Sequence, residues 1–136
     1  MSDLFHGDPE MAARFLNPSL EHLHDPMRLA GMGPAVDRIL AGIARRERIA
    51  VHGDYDVDGT AGAALLSWIL REFGFEHDVR QPDRFKDGYG LNPRAVQEAK
   101  DSGATTLVTV DCGITSFEAA QKARELGIDL IIVDHH

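Results

Sequence analysis

The chain has 136 residues, a formal net charge of −8, 43% hydrophobic and 26% charged residues, and a single cysteine, Cys112. That length suits one domain or a piece of a larger protein, and the composition is globular rather than disordered. No apolar run approaches the roughly 18 residues of a membrane span. The N-terminus MSDLFHGDPEMAARFL lacks the basic flank and apolar core of a signal peptide. One cysteine rules out an intrachain disulfide and a cysteine-based zinc site, so a cytoplasmic address without a membrane partner is expected. The acidic balance has the wrong sign for holding nucleic acid through the overall field. Carboxylates that bind cations would be neutralised by them, however, so charge leaves the substrate open.

Residues 1–33 carry Pro18 and Pro26 without sustained periodicity and read as an N-terminal arm of short helical turns. From Pro34 the pattern becomes regular. Val36, Ile39, Leu40 and Ile43 form one stripe of an amphipathic helix ending near Arg46. Arg48 to His52 is a short apolar run that stops at Gly53, as a buried strand does. A helix is expected from about Gly59 to Phe73, apolar nearly all round (Leu65, Leu66, Trp68, Ile69, Leu70) and therefore buried between layers. Glu76 to Arg80 reads as a second strand, leading into the loop QPDRFKDGYGLN.

Asn92 followed by Pro93 is a helix N-cap with proline at the first helical position. Thr105 to Val110 is β-branched and strand-like, and Thr115 to Glu118 spells a capping box before a helix that closes at Gly127. Asp129 to Asp134 is another apolar strand. The resulting order, β-α-β-α-β-α-β over residues 34–136, predicts an α/β fold with a parallel sheet and right-handed crossovers.

Three strands run directly into polar residues: IAVHGDYDVD, LVTVDCG and LIIVDHH. The carboxyl ends of strands in an open parallel sheet share one edge, where ligands bind. Asp54, Asp56, Asp58, Asp111, Asp134, His135 and His136 are therefore expected to meet there. In an extended segment, Asp54, Asp56 and Asp58 would project together, and carboxylates that close repel one another unless cations lie between them. Asp58 alternatively caps the helix behind it. Oxygen-rich ligation with some imidazole suits Mn2+ or Mg2+, and two such ions can activate water and clamp a phosphoryl group. His52 is a further candidate to hold metal or orient its ligands. Cys112 reads as a buried packing residue, and His6, His22, His24 and His77 as surface residues.

HGDYDVDGTAG, VDCG and VDHH together resemble the first three motifs of the DHH phosphoesterase superfamily. FLNPSL and RFKDGYGLN narrow the likeness to the RecJ family of single-strand-specific 5′-to-3′ DNA exonucleases. The resemblance implies a three-layer DHH phosphoesterase domain with a parallel sheet, truncated after its third motif. It also implies a hydrolase of single-stranded DNA serving repair and recombination, with two Mn2+ or Mg2+ ions in the complete enzyme. By that likeness Asp54, Asp56, Asp111 and His135 are metal ligands. His52, Asp58, Asp134 and His136 are ligands or residues that orient them, and Arg84 and Tyr89 lie near the site. A further metal-binding aspartate and a second domain are expected beyond His136, which would leave this piece inactive alone. The alternatives are a DHH phosphodiesterase of short oligonucleotides or cyclic dinucleotides, an inorganic pyrophosphatase, and a non-catalytic replication scaffold. The scaffold is disfavoured because the ligand acids are all present.

Overall fold

A computed structural model describes residues 8–83, 88 and 90–136, so Arg84, Tyr89 and His6 lie outside the described residues. The chain divides into two units, residues 1–34 and 35–136. In the first, side-chain caps make short helices. Asp8 accepts from the Glu10 and Met11 amides to start α1 (Pro9–Leu16), and Ser19 and Asp25 likewise start two single turns, at Leu20–His22 and Pro26–Arg28. None of these three helices buries a residue, so local capping rather than a core shapes the segment.

The second unit alternates strand and helix after α2 (Met32–Arg45). Its elements are β1 (Arg48–Gly53), α3 (Val57–Glu72), β2 (His77–Arg80), α4 (Pro93–Asp101), β3 (Ala104–Val110), α5 (Phe117–Leu126) and β4 (Asp129–Val133). The four strands pair in parallel in the order β2-β1-β3-β4. Ile49, Val51 and Val108 pack on one face with Ile39 of α2 and Ala63, Leu66 and Leu70 of α3. Ala50 and Leu107 pack on the other with Ala95, Val96 and Ala99 of α4 and Ala119 and Ala123 of α5. This is the three-layer α/β arrangement the strand–helix alternation predicts. Among the described residues no helix is long and apolar enough to cross a membrane.

Four local expectations need correction. Helix α3 starts at Val57 rather than Gly59, because Asp56, not Asp58, is its N-cap: Asp56 Oδ1 accepts from the Gly59 amide at 2.9 Å. The helix is also not buried all round. Its inner stripe of Gly59, Ala63 and Leu70 is covered, while Leu65, Trp68 and Ile69 remain exposed. The capping box at Thr115 does not form. Ser116 is the N-cap and makes no side-chain capping bond, and the amides of Ser116 and Phe117 donate to the carbonyls of Gly113 and Thr115 in the preceding turn. His77 is half-buried rather than on the surface, held between Ser67 Oγ at 2.7 Å and Phe75 O at 3.0 Å.

At the amino edge of the sheet, Glu47 ties α2 to β3. Its carboxylate accepts from Thr105 Oγ1 and Arg38 Nη2, each at 2.7 Å, and also from Arg45. The Thr105 and Arg38 donors, opposed by burial and helped by Arg45, hold the carboxyl at about 2, well below its ordinary 4.5. A depressed carboxyl contributes stability that is complete above the unfolded value and is lost as pH falls through the folded one. Glu47→Gln should therefore lower the urea midpoint at neutral pH. The gap to wild type should close as pH falls from 4.5 to about 2, measured by denaturation across that window.

Candidate metal centre

Strand register brings the three motifs to one level. Gly53 pairs with Val110, and Val110 with Val133, so the next residues, Asp54, Asp111 and Asp134, leave adjacent strands side by side. The ladder continues one bond further on two of these strands: the Asp54 amide donates to Val110 O at 3.2 Å, and the Asp111 amide to Val133 O at 2.8 Å. Both aspartates are thereby pinned to the carboxyl edge by backbone.

The three side chains meet different surroundings. Asp54 is 1% exposed, and both of its carboxylate oxygens are buried without a hydrogen-bond partner among the described residues. A buried carboxylate with no donor is costly unless a cation sits against it. Asp111 adopts a φ of 65°, a conformation that is uncommon outside glycine, and its Oδ1 lies 2.8 Å from His135 Nε2. Asp134, with a side chain 2% exposed, is fully engaged. Its Oδ2 accepts from the Ile114 amide at 2.9 Å, and its Oδ1 meets the His136 amide at 3.0 Å and His136 Nδ1 at 2.7 Å. Burial pushes this carboxyl up, but the donors from Ile114 and His136 outweigh it and leave it at about 2.

Both Asp134 oxygens are thus engaged by protein donors. Asp134 meets the β3–α5 loop through the Ile114 amide and His136 through Nδ1. The His136 side chain is raised above its ordinary value, first by the Asp134 bond and further by the charges of Asp134, Asp111 and Asp56. The rings of His135 and His136 stack at 4.6 Å, and Asp111, His135 and His136 can each present one ligand atom within 4.8 Å of the others.

Other candidates fall outside this cluster. Chain direction changes after Gly53, so the two-residue alternation expected of Asp54, Asp56 and Asp58 does not hold. Asp58 sits exposed in the first turn of α3, and Asp56 is exposed with one oxygen committed to its cap. His52 is buried on the α4 side of the sheet, with Nε2 3.3 Å from Gly90 O. Cys112 is buried as expected, and its thiol is pushed up to about 12 by burial and by the charges of Asp54, Asp134 and Asp111.

Residues 48–136 match the DHH family, N-terminal domain. The chain belongs to the DHH family. It is 40% identical over 127 residues to the single-stranded-DNA-specific exonuclease RecJ of Bacillus subtilis (strain 168), covering 93% of this chain and 16% of that protein. It is 39% identical over 126 residues to the protein of that description from Escherichia coli (strain K12), covering 92% of this chain and 22% of the relative. Among solved structures, it resembles exonuclease RecJ bound to manganese, with a TM-score of 0.73 and 35% identity over 79% of this chain and 28% of that one. RecJ from Thermus thermophilus in complex with Mn2+ gives a TM-score of 0.70 and 31% identity over 89% of this chain and 16% of that one. This DHH chain thus spans about a fifth of the length of the curated relatives it matches.

Two glycines were not singled out as functional by their sequence pattern, yet they set where Asp54 lies. A Cβ on Gly59 would stand 2.6 Å from both Asp54 N and Asp54 O, and one on Gly53 would stand 2.7 Å from Gly59 O. The first turn of α3 therefore packs directly on the Gly53–Asp54 backbone. At Gly62 the clash is with the Val110 Cγ1 methyl at 2.6 Å, which can turn away. Gly59→Ala should cost about 1–3 kcal/mol or more by overpacking against rigid backbone. In Gly62→Ala, the roughly 1 kcal/mol gain in helix propensity should offset much of a smaller clash. Urea denaturation of the two variants should rank them in that order.

Proposed function

We propose that this domain holds divalent cations, Mn2+ or Mg2+ in a pair, and hydrolyses phosphodiester bonds of single-stranded DNA as part of the full-length protein, working 5′ to 3′. The carrying observation is Asp54: a buried carboxylate without a donor, one ladder position from the Asp111–His135–His136 cluster. Two carboxylates and imidazole suit these hard and borderline cations better than structural zinc. The likeness to manganese-bound RecJ structures supports the same choice.

We assign Asp54, Asp56, Asp111 and His135 as ligands and His136 as a residue facing the substrate. Bound cations would supply Lewis-acid stabilisation of the phosphoryl oxygens and a water of lowered pKa. The protein's own part is positioning and charge. Asp111 aligns His135 through its Oδ1, and Asp134 holds His136 by Nδ1, so Nε2 is the atom available to a phosphate oxygen. The chain's net charge of −8 would repel a polyanion, so substrate approach depends on the acids at this edge being neutralised. Acting on DNA in repair and recombination, the protein would work in the cytoplasm.

In the full-length protein, Asp111→Ala should reduce nucleotide release from a single-stranded oligonucleotide with Mn2+ by more than the roughly 100-fold that losing an orienting partner costs. Asp134→Asn should fall within that range. Near-wild-type release by Asp111→Ala would overturn the mechanism. Cleavage of a cyclic dinucleotide with single strands left intact would replace the exonuclease reading by that of a small-substrate phosphodiesterase.

A further inference from the structure

A concavity opens where the N-termini of α4 and α5 come together. It has a volume of about 440 Å³, and its walls include Leu91, Pro93, Phe117 and Ala119 with Asn92, Thr115, Ser116 and Glu118 among them. Nothing in the metal centre described above uses it. Phe117 is its aromatic member, 79% exposed at the first position of α5.

We infer that this cavity is a nucleobase subsite, in which a base of the single strand stacks on Phe117 while its phosphates lie at the metal centre. The inference rests on the polynucleotide reading above. Among the described residues the lining carries the carboxylate of Glu118 and no lysine or arginine, which suits a neutral ring with polar edges. An aromatic face with adaptable hydroxyls is what sequence-tolerant single-strand binding uses, since every base has a π-face. Asn92 Oδ1 is committed to the Ala95 amide at 2.9 Å, which leaves its amide nitrogen as a donor beside the Glu118 acceptor. Ser116, whose side chain makes no capping bond, adds a hydroxyl.

The cavity is also coupled in position to the chemistry. The loop from Asp111 to Ser116 is held at two points: Thr109 Oγ1 donates to Cys112 O at 2.7 Å, and the Ile114 amide donates to Asp134 at 2.9 Å. Phe117 follows Ile114 by three residues, at most about 11 Å of chain. Phe117, at the start of α5, thus directly follows the anchored loop that begins at the Asp111 carboxylate.

The test uses full-length protein with two substrates, a single-stranded oligonucleotide and bis(p-nitrophenyl) phosphate, which has no base. Phe117→Ala should raise KM for the oligonucleotide by roughly 10-fold or more, the usual loss when a stacking ring is removed. It should leave turnover of bis(p-nitrophenyl) phosphate and the thermal midpoint unchanged, and Phe117→Trp should restore binding. An abasic nucleotide scanned along the strand should weaken wild type at one position and add nothing to Phe117→Ala there. Wild-type KM in Phe117→Ala, with Asp111→Ala inactive on the same strand, would overturn the subsite alone. Equal losses on both substrates would likewise assign Phe117 to the stability of the centre instead. Wild-type protein that turns over bis(p-nitrophenyl) phosphate but neither binds nor cuts single strands would overturn the polynucleotide reading and the subsite with it.

Discussion

The level pairing of Gly53, Val110 and Val133 across three parallel strands is the constraint on which the site depends, because it delivers three aspartates to one edge within a shared ladder. Negative charges do not gather there by attraction. The apolar rows behind them hold them there: Val51, Val108 and Ile131 stand in register across the same strands and pack under α2 and α3. Burial of those rows outweighs the repulsion it imposes, and the imbalance left over at Asp54 is what a cation would relieve.

Three acids with nearly the same sequence context perform three different tasks because the fold surrounds them differently. Asp134 meets three donors and becomes a strut between β4 and the β3–α5 loop. Asp111, held at positive φ, directs one oxygen to His135. Asp54 lies under the first turn of α3, where the absence of a Cβ on Gly59 allows backbone to approach backbone but supplies no donor to the carboxylate. What differs among the three acids is which groups already satisfy them, not their spacing in the chain.

The amino and carboxyl edges of the sheet are correspondingly different. At the amino edge the charges neutralise one another: Arg38 pairs with Glu47 and Asp129, and Arg45 with Glu47. At the carboxyl edge, among the described residues, the ion pairs of Asp111 and Asp134 are with histidines.

Much of this was readable from residue order alone. Apolar runs ending in aspartate mark strands that stop at a polar edge, and Asn92–Pro93 and Gly127 mark helix ends, because those signals act over a few bonds and need no partner. The alternation of elements then implied the parallel sheet, and with it the meeting of distant motifs. Sequence could not decide which acid caps α3, that the Ile114 amide donates to Asp134, or that Leu65, Trp68 and Ile69 stay exposed on a helix apolar nearly all round. Those outcomes depend on strand register, on which backbone amides remain unpaired, and on which side of a helix meets the sheet. They are set by groups far apart in the chain, and only tertiary structure brings them within a hydrogen bond of one another.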